Sequence, residues 1–110
     1  MNTSNKALDL RLNAPPQPVC VRIGESFPVE VRVLTSNVSQ CAVKIILDEA
    51  ALENLTEDPN PRQLGGGKIS EDVRWPIRAK RKTDRTDVII EARANGLFQT
   101  VQFPVEVIAS

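Results

Sequence analysis

Histidine and tyrosine are both missing from this 110-residue sequence. Histidine is the commonest general base, the commonest metal ligand and the usual partner of a serine or cysteine nucleophile, so its absence disfavours most hydrolase mechanisms. The two cysteines, Cys20 and Cys41, cannot complete a four-ligand zinc site by themselves. Carboxylates could still bind a metal, but none are spaced as in a calcium-binding loop. The sequence therefore predicts no catalytic residue, no metal and no cofactor.

Net charge and long apolar runs are also lacking. Lysine plus arginine and aspartate plus glutamate both number 14, so no overall field attracts nucleic acid or an anionic membrane. No run of about 18 apolar residues is present, so no membrane span is predicted. Asp9 and Arg11 interrupt the segment in which a signal peptide needs an unbroken apolar stretch. We therefore expect no export signal in this chain, and a cytoplasmic location if the chain is full length.

The sequence does contain a strong period-two alternation of apolar and polar residues. Val29, Val31 and Val33, for example, alternate with Glu30 and Arg32, which is typical of a half-buried strand. The pattern recurs in seven segments, at 8–12, 19–23, 27–33, 41–47, 69–77, 88–94 and 101–107. Short strands without long helical crossovers predict an all-β fold, a two-sheet antiparallel β-sandwich of about seven strands.

Residues 1–110 match the usual size of a single domain. Two segments within this domain depart from the strand pattern. Residues 47–55 have leucines at helical spacing behind Asp48 as a candidate N-cap, which predicts one short helix before the strand that contains Trp75. Prolines and glycines crowd the next segment, so we expect a long mobile loop at 56–67. Residues 1–6 are expected to form a flexible N-terminus.

The glycine run in LGGGKIS, residues 64–70, invites comparison with a phosphate-binding loop. Such a loop needs the pattern G-x-x-x-x-G-K followed by serine or threonine, between a strand and a helix. Here Arg62 stands in place of the first glycine and Ile69 in place of the hydroxyl residue, and a strand pattern follows. The sequence therefore predicts a flexible lead-in to a strand and no nucleotide site.

A basic run follows the Trp75 strand, and its side chains are the candidate partner-contact residues. They are Arg78, Lys80, Arg81, Lys82 and Arg85. We expect the run at 78–85 to form a hairpin tip at one end of the sandwich, where it could contact an anionic partner or nucleic acid. No aromatic residue for base stacking lies near it, and solubility alone also accounts for such a run.

The phase of each strand makes predictions for individual side chains. Cys20 falls on the outward phase and Cys41 on the inward phase, so we expect two free thiols. Trp75 is on the inward phase and is expected in the core. Glu71 and Asp72 are adjacent, so their side chains point to opposite faces and cannot act as a catalytic pair.

Proline positions predict which strand lies at a sheet edge. Proline has no N–H for the ladder, and Pro76 lies in the middle of a strong strand pattern. The Trp75 strand is therefore expected to be an edge strand or to carry a bulge.

Three stretches resemble immunoglobulin-like modules of the CARDB and alpha-macroglobulin type: VRIGESFPVEVRVLTSN, CAVKIILDEAAL and VRWPIRAKRKTDRTDVIIEARANGLFQTVQFPVEV. The shared features are a glycine turn before a strand of alternating valines, a tryptophan in a later strand, and a closing strand that ends in a pVeV pattern. The resemblance covers residues 19–108 and carries no functional residues over to this chain. It implies a spacer, an adhesion unit or a docking surface attached to a larger protein.

Three classes of function are consistent with these features. The leading hypothesis is a non-catalytic module for protein–protein interaction, adhesion or spacing, with a protein partner or a neighbouring domain, and monomeric as an isolated domain. The first alternative is contact with an anionic partner or nucleic acid through residues 78–85, although the balanced charge disfavours nucleic acid. The second is a carbohydrate-binding module, which the single tryptophan and the lack of tyrosine disfavour.

Overall fold

A computed structural model describes residues 5–14 and 19–110, and this part of the chain contains nine strands and no helix. Accordingly, it offers no helix long and apolar enough to cross a membrane. The strands are β1 (Ala7–Ala14), β2 (Val19–Arg22), β3 (Ser26–Val38), β4 (Cys41–Ile46), β5 (Leu52–Asn54), β6 (Arg62–Leu64), β7 (Gly67–Ala79), β8 (Thr83–Ala94) and β9 (Leu97–Ile108).

The strands form two sheets packed face to face. One sheet has the order β1-β3-β7-β5 and the other has the order β2-β9-β8-β4-β6. All neighbours are antiparallel except β2 and β9, which run parallel. Because β1 and β2 belong to different sheets, the chain changes sheets between them.

The core lies between the two sheets and is built from the inward phase of each strand. Val29, Val31 and Val33 of β3 are fully buried, and Trp75 of β7 lies beside them with 2% of its surface exposed. Phe103 of β9 faces them from the other sheet and is 1% exposed. Burying a side chain of this kind contributes about 1.5–3 kcal/mol, so these residues dominate the stability of the sandwich. The predicted two-sheet β-sandwich and the core position of Trp75 are confirmed.

The predicted helix at residues 47–55 is wrong. Asp48 Oδ1 accepts a hydrogen bond from Ala50 N at 3.0 Å, and its backbone oxygen accepts from the N–H groups of Ala51 and Leu52, both at 2.9 Å. These bonds close one turn, after which Leu52 is fully buried and starts β5 beside β7. A helix this short is marginal alone, so burial of Leu52 and pairing with β7 override the helical spacing.

Pro76 lies at the point where β7 stops being an edge strand. The strand β5 pairs with β7 only from Ile77 onwards, and Leu55 N donates a hydrogen bond to Pro76 O at 2.9 Å. The backbone polar groups of one strand residue point the same way, so the missing N–H of Pro76 faces the β5 side and not β3. Before this point, β7 has no neighbour on that side among the described residues, as the proline predicted.

The predicted loop at 56–67 contains an additional short strand. Residues 62–64 form β6, which pairs with Cys41, Ala42 and Val43 of β4. The mobility of the rest of this segment stays a prediction. Of the expected flexible N-terminus at 1–6, residues 1–4 lie outside the described part of the chain.

Candidate functional site

The basic run forms the connection between β7 and β8, and these two strands belong to different sheets. This corrects the predicted hairpin tip, because β7 pairs with β3 and β5 whereas β8 pairs with β9 and β4. Three backbone hydrogen bonds attach this connection to the neighbouring segments, one of them from Gly24 N to Ala79 O at 2.8 Å. Lys80 N donates to Ala51 O at 2.8 Å, and Ala79 N donates to Glu25 O at 2.9 Å. We call residues 78–85 the basic turn.

Three of the five basic side chains already have partners within the chain. Arg78 donates from Nη2 at 2.6 Å and from Nε at 3.0 Å to Glu53 Oε1. Lys80 Nζ donates to the backbone oxygen of Glu49 at 2.8 Å. Arg85 donates from Nε to Asp87 Oδ1 at 3.2 Å. The charges of Arg78 and Arg85 are therefore partly neutralised by carboxylates, whereas Lys80 keeps its charge and is held by a neutral carbonyl.

Arg81 and Lys82 differ from the other three. Both are exposed, and neither forms a hydrogen bond or an ion pair with any residue in the described part of the chain. They border a shallow cleft of about 240 Å³ together with Asp48 and Thr83. Of the five predicted contact residues, these two are the ones without a hydrogen-bond or ion-pair partner among the described residues.

The fold brings carboxylates to the basic turn that sequence reasoning did not place there. The turn at residues 48–51 and strand β5 supply three of them, and the start of β8 supplies two. The five are Asp48, Glu49, Glu53, Asp84 and Asp87, which equal the basic side chains in number. The hydrogen bond from Lys80 to the backbone oxygen of Glu49 and the one from Arg78 to the Glu53 carboxylate span 31 and 25 residues of sequence, so no local pattern predicts them. This end of the sandwich is a mixed-charge surface.

A second cleft, of about 430 Å³, adjoins the basic turn. Its walls combine the apolar Ile45 and Leu52 with the acidic Glu49 and Asp58. The side-chain amide of Asn60 in this wall is already hydrogen-bonded: Asn60 Oδ1 accepts from Ile45 N at 3.1 Å and Asn60 Nδ2 donates to Ile45 O at 2.9 Å. That amide therefore supports the backbone of β4 and is not free to fix a ligand.

The glycine run serves packing and leads into β7. A Cβ at Gly66 would overlap the carbonyl oxygen of Ser39, so only glycine fits there, and Gly67 has a φ of 82° that favours glycine. Thr35 Oγ1 donates to Gly67 O at 3.0 Å and accepts from Ile69 N at 3.3 Å. A strand follows this run in place of the helix that a phosphate-binding loop requires, as the sequence predicted.

The two adjacent carboxylates point to opposite sides of β7, as predicted. Arg32 donates to Asp72 from Nε at 2.9 Å and from Nη2 at 3.3 Å, and Asn13 Nδ2 donates to it at 3.1 Å. The hydrogen bond from Arg32 is the main reason why the pKa of Asp72 is lowered. Glu71 lies 3.7 Å from the guanidinium of Arg62, across the opening between the two sheets. The described residues contain no group of side chains that could hold a metal ion.

Both cysteines are free thiols, as predicted. Cys20 is exposed on β2, whereas Cys41 is 1% exposed in the core. Burial raises the pKa of the Cys41 thiol, and the nearby charge of Glu71 adds to this effect. Cys41 is therefore a protonated core residue at neutral pH and not a nucleophile.

Comparison with known proteins identifies the fold and no family. No family model and no curated protein matches the chain. A domain of Salmonella alpha-2-macroglobulin is similar over 91% of this chain, with 19% identity and a TM-score of 0.61, and the chain spans 7% of that protein. A chimeric titin Z1Z2 is similar over 99% of this chain and all of its own, with 16% identity and a TM-score of 0.58.

A third solved structure, the complex of titin M10 with obscurin-like 1, is similar over 96% of this chain and 98% of its own. The identity is 14% and the TM-score is 0.53. Identities this low establish the fold and do not transfer a function. The chain is an immunoglobulin-like β-sandwich with neighbours among alpha-2-macroglobulin and titin domains, in agreement with the resemblance noted in its sequence.

Proposed function

We propose that this chain is a non-catalytic immunoglobulin-like module for protein–protein interaction, adhesion or spacing, alone or within a larger protein. The observation that supports this role best is the basic turn, where Arg81 and Lys82 are exposed without partners among the described residues and share a cleft with Asp48. A surface that presents both signs of charge suits a protein partner with a complementary pattern, since such patterns set orientation and exclude wrong partners.

The shape of the molecule supports the spacing role. Its extents are 60 × 25 × 18 Å and its radius of gyration is 15.4 Å. A compact domain of this length has a radius of gyration of about 13 Å. The excess comes from the 13-residue strands β3 and β7, which run along the molecule. A rigid elongated module separates whatever is attached to its two ends.

The similarity to a chain of the complex between titin M10 and obscurin-like 1 is consistent with an interaction role. That structure contains two proteins bound to each other, so a sandwich of this architecture can serve protein contacts. The carbohydrate-binding alternative loses support from the structure, because Trp75 is buried and offers no stacking platform for a sugar.

Contact with an anionic partner or nucleic acid is the second candidate, and the free charges of Arg81 and Lys82 favour it. Two available cations surrounded by carboxylates form a poor match for a polyanion, because phosphates would meet repulsion from Asp48 and Glu49. Titration with a short duplex and with heparin at two salt concentrations separates the candidates. Binding that weakens steeply with salt supports the polyanion partner, and no binding at low salt excludes it.

The interaction role is tested by charge reversal at the basic turn. Affinity purification would use the natural full-length protein with Arg81→Glu and Lys82→Glu, and a matched control with Lys68→Glu and Arg74→Glu, which are exposed cations of β7. We expect a partner that the wild-type protein and the control recover equally and that the basic-turn variant loses. If the basic-turn variant recovers the same partners as the control, this surface has no interaction role.

A further inference from the structure

The strand β9 has a free edge over residues 97–104. On one side, β8 pairs along almost all of β9. On the other side, β2 pairs only with residues 105–108, and nothing else in residues 5–14 and 19–110 pairs with β9 there. Eight of the twelve residues of β9 therefore have no backbone pairing on this side with the described residues, although β1 of the other sheet also contacts β9.

The direction of the backbone groups along this edge follows from one hydrogen bond. Ile23 N donates to Ile108 O at 3.0 Å, so the polar groups of Ile108 face the β2 side. Successive residues of a strand direct their N–H and C=O groups to alternate sides. This alternation is unbroken along β9, because the extra residue at the register shift between β8 and β9 lies on β8. Phe98, Thr100 and Gln102 therefore direct their N–H and C=O groups to the free edge. Pro104 has no N–H and ends this row.

The free edge of β9 carries no charge, unlike the other edges of the described sheets. Its residues read LFQTVQFP. Phe98 is 45% exposed, and Gln99, Thr100 and Gln102 are exposed as well. Each other exposed edge has at least one charged residue: Asp9 and Arg11 on β1, Arg22 on β2, Glu53 on β5, Arg62 on β6, and Lys68, Glu71, Asp72 and Arg74 on the unpaired part of β7. Charges on an edge discourage pairing with another chain, and β9 lacks this protection.

We propose that the free edge of β9 pairs antiparallel with the same edge of a second copy of this chain, about a two-fold axis at Thr100. A symmetric pair of this kind places each residue opposite a residue of the same segment. An edge with charges would then bring like charges together, whereas this edge brings Phe98 opposite an uncharged glutamine and Thr100 opposite its own copy. The five-stranded sheet of each copy continues into the other.

This inference is independent of the interaction role proposed for the basic turn, which lies on another connection of the sandwich. It is an alternative to the sequence-based expectation that the isolated domain is monomeric, and the experiment below distinguishes the two. A strand pair alone covers less surface than a permanent dimer usually buries, so the association is reversible and depends on concentration.

The oligomeric state of the isolated chain tests the proposal. Sedimentation velocity over a wide range of concentrations would compare the wild-type chain with Thr100→Lys and with the control Ser70→Lys. Both substitutions replace an exposed hydroxyl residue on a free edge by lysine, on β9 and on β7 respectively. We expect a dimer for the wild type and for the control, and a dissociation constant at least about fivefold weaker for Thr100→Lys, because two lysines face each other across the axis.

A disulfide trap tests the position of the axis. Directly paired residues have Cα atoms about 5.5 Å apart or closer, within reach of a disulfide. In a Cys20→Ser background, Thr100→Cys should give a covalent dimer under mild oxidation, and Ser70→Cys should not. A wild-type chain that stays monomeric at every concentration, a Thr100→Lys dimer as strong as the wild type, or equal cross-linking by both cysteines would each overturn the proposal.

Discussion

Gly66 is the glycine of the LGGGKIS segment that the packing requires. A side-chain carbon at this position would overlap the backbone of Val38 and Ser39, which connect β3 to β4. Gly65 is next to it in sequence, yet a Cβ there would meet nothing within 4 Å. The two neighbouring glycines therefore give a matched pair of substitutions that differ only in their surroundings.

We expect Gly66→Ala to lower the free energy of unfolding by roughly 1–3 kcal/mol, because the backbone of the β3–β4 connection must move to admit a methyl group. Gly65→Ala should change it by less than about 0.5 kcal/mol. Urea denaturation of both variants checks the prediction. Equal effects of the two substitutions would show that the chain near Gly66 adjusts without cost.

Asp72 makes stability depend on pH in a defined direction. Its hydrogen bond with Arg32 lowers its pKa in the folded protein below the value of 3.8 for an unperturbed aspartate. The ionised carboxylate therefore stabilises the fold at pH values above the unfolded pKa, and this contribution is lost as the pH falls through the folded pKa.

We expect Asp72→Asn to be less stable than the wild type at neutral pH, and the difference to vanish in strong acid where the wild-type carboxyl is protonated. Urea denaturation at several pH values measures the difference. Asp84→Asn is the control, since Asp84 is exposed and forms no hydrogen bond with the described residues. A difference that does not change with pH would assign the effect to side-chain shape and not to charge.

At the scale of elements, the three residues of β5 hold the segment between β4 and β6 against the sandwich. Leu52 is fully buried, while Leu55, three residues later, is 40% exposed. Backbone pairing with β7 and the hydrogen bonds from Arg78 to Glu53 hold the strand from outside. The Leu52 side chain holds β5 from the other side, because it is packed in the core.

We expect Leu52→Ala to lower the free energy of unfolding by about 2–5 kcal/mol, because it leaves a cavity under β5. Leu55→Ala should cost less than about 1 kcal/mol, because that side chain keeps much of its contact with water in the folded state. Thermal unfolding and urea denaturation both report the difference. Similar losses for the two variants would mean that Leu52 is not an anchor.

Alternation along single strands made most elements predictable. The seven predicted strands are present because each of them buries one face. In β3, for example, apolar and polar residues alternate along the sequence, and so does the burial of their side chains. Residues 47–55 were mispredicted because the helical spacing of their leucines is local, whereas the burial of Leu52 against β7 depends on a strand more than 20 residues away in sequence. Short edge strands such as β6 leave no periodic pattern to read.

At the scale of the whole molecule, the arrangement of strands was beyond reach of the sequence. Nothing in the order of residues shows that β7 and β8 lie in different sheets, so the basic turn was expected as a hairpin tip. The same tertiary arrangement brings Glu49 and Glu53 to Lys80 and Arg78. The five basic residues stay predicted contact residues, and the pairing of Arg78 with Glu53 across 25 residues could not be read from the sequence.

Trp75 gives the protein a built-in optical probe. It is the only tryptophan in a chain without tyrosine, and it is 2% exposed at the centre of the sandwich, directly opposite Val29 of β3. Emission excited in the near ultraviolet therefore comes from a single site, and a red shift of that emission marks the entry of water into the core. Local changes at the basic turn or at the β9 edge should leave the spectrum unaltered, so one label-free signal separates loss of the fold from loss of a surface contact.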